Sequence, residues 1–109
     1  MYKLCRIDIE RSKETYEELR DFIKNIKNLY PIKEVYLFGS FAKGDFSEGS
    51  DIDLLIIGNF KERFLDRPDK FLELTDLPIE VFCYTEKEIQ KMKKRNNRFV
   101  EEALKGIKL

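Results

Sequence analysis

Gly39-Ser40-Phe41-Ala42-Lys43-Gly44, followed by a polar stretch and then by Ser50-Asp51-Ile52-Asp53-Leu54-Leu55-Ile56, is the part of the sequence on which the fold turns. The run Val35-Tyr36-Leu37-Phe38 before it is rich in strand formers and breaks at Gly39, so a strand runs into a glycine turn. Residues 44–50 read as a loop, and 51–57 as a second strand that ends at Gly58. The two strands form a hairpin-like pair.

Side chains two apart in a strand share a face, so Asp51 and Asp53 point the same way with Cα atoms about 6–7 Å apart. Two like charges leading into an apolar strand repel one another and lose hydration, a cost that a divalent cation removes. Paired ions about 3.5–4 Å apart fit between two such carboxylates and a third. At Gly39 the missing Cβ lets a triphosphate approach, and free backbone N–H groups with the Ser40 hydroxyl can donate to it. Lys43, one turn on, can neutralise phosphate charge.

The third acid is Glu80, in Pro78-Ile79-Glu80-Val81-Phe82-Cys83-Tyr84. Alternation puts it on the face of Phe82 and Tyr84, opposite Ile79, Val81 and Cys83. The expectation is a charge amid apolar neighbours, which needs either a basic partner or a shared metal cluster; an edge-strand carboxylate facing water is the plain alternative. Each fragment has a bland reading alone, since a Gly-Ser after a strand is usually a turn and an Asp-x-Asp usually a loop entry or cap. An EF-hand is excluded, because counting from Asp45 puts Ile56 where the bidentate glutamate belongs.

Outward from this centre, the pattern switches between period two and period 3.6 without repeats or linkers, as in an α/β or α+β domain. Leu4 to Ile9 alternates as a short N-terminal strand. Ser12 or Thr15 caps a helix with Tyr16, Leu19, Phe22, Ile23 and Ile26 on one face, closed by Pro31. Pro68 interrupts 60–77, leaving either one broken helix or a loop and a helix that starts there. A third strand runs from Pro78 to Tyr84. Thr85 with Glu88 caps a further helix, Asn96 or Asn97 begins the last, and Gly106 stops it.

The 109 residues, 42% of them hydrophobic, suffice for one core, so 1–109 is expected to be a single domain. Lys and Arg number 21 and so do Asp and Glu, which leaves no global field to recruit nucleic acid or an acidic membrane. Without histidine, the usable chemistry rests on carboxylates and hydroxyls, a set suited to Mg²⁺. Cys5 and Cys83 stand far apart and form no CxxC, so free thiols are expected. No apolar run spans a membrane and no signal-peptide layout is present, which reads as cytoplasmic. The 39% charged residues and the single glutamine, Gln90, fit a thermophilic source or simply a solvated small domain.

Together, Gly39 and Ser40, then Ala42, Lys43 and Gly44, then Asp51 and Asp53, and later Glu80 resemble the minimal nucleotidyltransferase family of the polymerase-beta-like superfamily, from the helix before Val35 to the C-terminus. Lys43 stands where that family frequently has arginine. The resemblance implies a small mixed sheet with helices packed mainly on one face, and transfer of a nucleoside monophosphate, AMP from ATP, to a hydroxyl acceptor. It further implies that Asp51, Asp53 and Glu80 hold two Mg²⁺ ions, that Glu80 takes the acceptor's proton, and that Gly39 and Ser40 hold the β- and γ-phosphates. Minimal members commonly pair with a helical HEPN-type protein, often as toxin and antitoxin, so a partner hydroxyl is the implied acceptor and an RNA end its rival. A binding module that neutralises such a partner by occlusion is the alternative of a different class. Lys87, Lys91, Lys93, Lys94, Arg95 and Arg98 form either a patch for an anionic partner or a solvated helix face.

Overall fold

Between Arg6 and Leu29 there is no proline or glycine, and that whole stretch is one helix, α1. The computed structural model describes residues 6–42 and 52–109, with side chains from residue 13 onward except those of 40 and 41. The N-terminal strand is therefore not found at residues 6–9. Ile7 and Ile9 lie in the helix, which runs through the caps expected at Ser12 and Thr15 because nothing there breaks it. Leu4 and Cys5 fall outside the described residues. Leu19, Phe22, Ile23 and Ile26 are 0 to 5% exposed, the i, i+3, i+4, i+7 stripe of an amphipathic helix. Pro31 follows the helix end, as the sequence indicates.

Strand β1 (Ile32–Phe38) leads into the short helix α2 (Gly39–Ala42), and β2 (Ile52–Gly58) returns antiparallel to β1. A 3-10 turn (Phe64–Asp66) and α3 (Asp69–Leu72) then carry the chain to β3 (Ile79–Tyr84), parallel to β2. Pro68 is the N-cap of α3, which resolves 60–77 as a loop with a helix starting at the proline. Helices α4 (Glu86–Lys94) and α5 (Arg98–Leu104) follow, and β4 (Ile107–Lys108) closes the sheet in the order β3-β2-β1-β4.

Two apolar layers sandwich this mixed sheet. Val35, Leu37, Ile52, Leu54, Ile56, Val81 and Cys83 face α1 and Phe71 of α3. Residues of the opposite parity, including Leu55, Ile57 and Phe82, face Ile89 of α4 with Val100 and Ala103 of α5. The mixed α/β class holds, but the helices cover both faces rather than mainly one. The run Leu54-Leu55-Ile56-Ile57 records this: a central strand with a helix layer on each side has no polar face to alternate with.

The two later capping signals are realised. Thr85 accepts from the Glu88 N–H at 3.2 Å while Glu88 accepts from the Thr85 N–H at 2.7 Å, and Asn97 accepts from the Val100 N–H at 3.1 Å. Strand β4 has no counterpart in the sequence reading, because two residues are too few for a period. It forms because Gly106 lets the chain pass directly over the Leu37 carbonyl, where any side chain would collide. Among the described residues no helix is long and apolar enough to cross a membrane.

Candidate active site

The register places Phe38 opposite Asp53 and Asp53 beside Glu80, in one row across three strands. Residues in register share a face, and neighbouring strands lie about 4.8 Å apart. Asp53 and Glu80 therefore stand side by side at the start of two parallel strands, on the face that carries Phe82 and Tyr84. Asp53 is half-buried and Glu80 exposed. The parity expected for Glu80 is thus found, but not its burial. Strand β3 lies at the edge of the sheet and Glu80 is its second residue, so water reaches the carboxylate.

Gly39 ends β1 against this row. Its φ of +79° is open to glycine and strained for other residues, and a Cβ there would fall on the Asp53 carboxylate. The backbone of Ser40 belongs to α2, while its side chain is outside the described atoms. Asp51, Lys43 and Gly44 lie outside the described residues. Two oxygen donors side by side suit a hard divalent cation; among the described residues no three acids, cysteines or histidines converge. Among the described residues, concavities of about 800 Å³ beside α1 near Tyr16 and Lys24, and of about 370 Å³ near Tyr36 and Gln90, lie elsewhere. Neither is lined by Asp53 or Glu80, so the row of acids, and not cavity size, marks the site.

Beyond Glu80 the same face is aromatic. Phe82 meets Phe99 of α5 at 4.9 Å between centroids, Phe38 meets Phe99 at 5.5 Å, and Tyr84 meets Phe64 at 5.0 Å. Burial, together with the nearby Glu88 charge, holds the Tyr84 phenol above its ordinary pKa. Burial pushes the Cys83 thiol up to about 12. It is a free cysteine, as expected, and no nucleophile at neutral pH.

Arg67 went unnoticed in the sequence. Its guanidinium is buried and donates to the Glu62 carbonyl at 2.9 Å, to the Cys83 carbonyl at 3.1 Å, and to both Glu88 oxygens at 2.7 and 3.3 Å. It therefore ties the 59–78 connection to the end of β3 and to the cap of α4. Its hydrogen bonds hold the Glu88 carboxyl below the usual glutamate range, against partial burial. Lys70 does the same for Glu62, across a 2.5 Å contact. A lone arginine before a proline has no periodicity to betray such a role.

The basic residues Lys87, Lys91, Lys93, Lys94, Arg95 and Arg98 are all exposed, and none has an ion-pair partner among the described residues.

A strand, a positive-φ glycine opening a helical turn, an antiparallel strand with an acid at its head and a parallel strand with a second acid beside it describe a small α/β domain of the nucleotide-transferring kind. The model of the nucleotidyltransferase domain family matches residues 19–107, and the chain belongs to that family. Three similar proteins of Methanocaldococcus jannaschii carry the name "putative protein adenylyltransferase". One is 46% identical over 43 residues, 38% of this chain and 43% of its own length, so the chain matches less than half of it. A second is 40% identical over 58% of this chain and 69% of its own length, and a third 36% identical over 70% and 79%. A crystal structure of a "putative nucleotidyltransferase" from Sulfolobus solfataricus shares the fold, with a TM-score of 0.65, 23% identity, and coverage of 84% of this chain and 85% of that one.

Proposed function

We propose that the protein transfers AMP from ATP to a hydroxyl on another protein. The observation that carries this is the pairing of Asp53 with Glu80 in register beside Gly39, in a chain whose relatives are named as protein adenylyltransferases. Asp51, Asp53 and Glu80 would hold the metal, as Mg²⁺, with two ions the expected number. When bound, Mg²⁺ offsets charge on the α-phosphoryl group and on the departing pyrophosphate. Gly39 and Ser40 would receive the β- and γ-phosphates, with Lys43 adding a positive charge.

In the reaction the acceptor oxygen forms a bond to the α-phosphorus, the bond from that phosphorus to the bridging oxygen of the β-phosphate breaks, and pyrophosphate departs with the electron pair. The acceptor's proton passes to the Glu80 carboxylate, whose exposure lets water carry it away. A tyrosine is the favoured acceptor, since a phenol near pKa 10 ionises more readily than a sugar hydroxyl. A helical HEPN-type partner is the protein in which we place it.

Incubation with each α-labelled nucleoside triphosphate, Mg²⁺ and cell lysate tests the reading. Label from ATP alone, in a protease-sensitive band, is the expected result. Label that resists protease and yields to ribonuclease moves the acceptor to RNA, and absence of label from every nucleotide defeats the proposal.

A further inference from the structure

Leu65 is 83% exposed in the 3-10 turn between β2 and β3, with Phe64 beside it at 38%. Phe64 packs on Tyr84 at 5.0 Å and Tyr84 on Phe99 at 6.3 Å, and all three rings stay partly open to water. Tyr84, Phe82 and Glu80 are alternate residues of β3, so this apolar strip runs along the strand to the acids within about 13 Å. Its rim carries both signs, but the acids nearest Phe64 are paired: Asp66, next to Leu65, with Arg63 at 3.5 Å, and Glu88 with Arg67, which lies near the Phe64 ring. The spacing 88, 91, 95 brings Lys91 and Arg95 into line with Glu88, and Arg98 opens the helix that carries Phe99. None of these three rim cations is paired among the described residues.

We infer that the strip of Leu65, Phe64, Tyr84 and Phe99 is the docking surface for the acceptor protein, and that it takes an amphipathic segment with an aliphatic face and acidic flanks. The inference rests on transfer to a protein, and adds where and by what chemistry that protein is held. An aliphatic tip at the outer end and rings toward the centre match an interface core. Exposed cations with no partner at the edge call for acidic groups on the incoming chain. Single-stranded RNA could use the rings and the cations, but Leu65 offers a base nothing to stack on.

Fluorescence anisotropy with the intact chain provides the test, using as probe a short labelled helical peptide with leucines on one face and glutamates on the other. Saturable binding is expected. Leu65→Glu and Arg95→Glu should each weaken it about tenfold or more, while Leu29→Glu, at another leucine that is 56% exposed, should not. Equal binding of the peptide with lysines in place of glutamates overturns the inference. So does tighter binding of oligoadenylate that ignores Leu65→Glu, or a dimer in sedimentation that Leu65→Glu dissolves. Asp53→Asn separates the two readings: it should abolish protein labelling and leave peptide binding intact. Peptide binding without any wild-type labelling would sink only the transfer reaction. Wild-type labelling that survives Leu65→Glu undiminished would sink only the docking surface.

Discussion

Gly39→Ala isolates the contact on which the candidate site depends. Two costs follow from the geometry. Alanine at a φ of +79° carries about 1–2 kcal/mol of backbone strain, and its methyl group would occupy the place of the Asp53 carboxylate. The carboxylate is the movable end of a side chain, so it swings away, and the second cost appears in function more than in stability. Melting should fall by roughly 5–10 °C. The labelling rate should fall about 100-fold, the penalty of displacing a catalytic group by about 1 Å. The Asp53→Ala background divides these effects. There the new methyl lies 3.5 Å from the residue-53 Cβ, an ordinary contact, and only the backbone strain remains. Thermal melts of both single variants and the double variant, with single-turnover labelling of wild type and Gly39→Ala, make the measurement. Equal destabilisation by Gly39→Ala in both backgrounds, with labelling by that single variant at the wild-type rate, would refute the claim that glycine is required to seat Asp53.

Asp53→Asn and Glu80→Gln should each lower labelling at least about 100-fold, and Mg²⁺ should raise the melting temperature of wild type but not of Asp53→Asn; because Glu80 is exposed, its substitution should shift stability by less than about 0.5 kcal/mol. Glu62 and Glu88 have folded pKa values below the ordinary 4.5, so their ion pairs stabilise fully above that value and lose their contribution as pH falls through the lowered pKa; urea unfolding from pH 7 to pH 3 should decline over that window, and less steeply for Glu88→Gln. Arg67→Met should cost about 2–3 kcal/mol in the same assay, less than a fully buried pair because the Glu88 side chain is 39% exposed. Cys83, with its thiol at about 12, should resist iodoacetamide at pH 8 in the folded chain and react once urea unfolds it.

What the sequence made legible were features with a local cause. Pro31, Pro68, the Thr85–Glu88 box and Asn97 act through a few neighbouring atoms, and each stands where its chemistry requires. Non-local features escaped. The start of α1 depends on propagation past plausible caps, and β4 depends on a close backbone crossing at Gly106. Arg67 depends on three segments meeting. Parity alone put Asp53 and Glu80 on definite faces, yet their being neighbours is a matter of parallel register, which the intervening connection fixes. Alternation cannot tell an edge strand from a central one, so the sequence leaves both readings of Glu80 open, and the edge position of β3 decides for the carboxylate facing water.

Topology explains why these residues, scattered over more than forty positions of sequence, meet at all. In an antiparallel pair the end of one strand lies beside the beginning of the next, so the Gly39 turn after β1 adjoins the head of β2. In a parallel pair the two beginnings lie side by side, so the head of β3 adjoins it too. One antiparallel and one parallel pairing on β2 therefore bring the glycine turn and both acids to a single end of the sheet. With the opposite sense at either pairing, one of them would sit a strand's length away, roughly 20 Å. The same end is where the charges cost least. Every other residue of β2 is buried, and Asp53, one residue in from the strand's start, is the position that keeps contact with water. Its carboxylate thus gains the rigidity of a strand packed on both faces without the desolvation that the middle of that strand would impose.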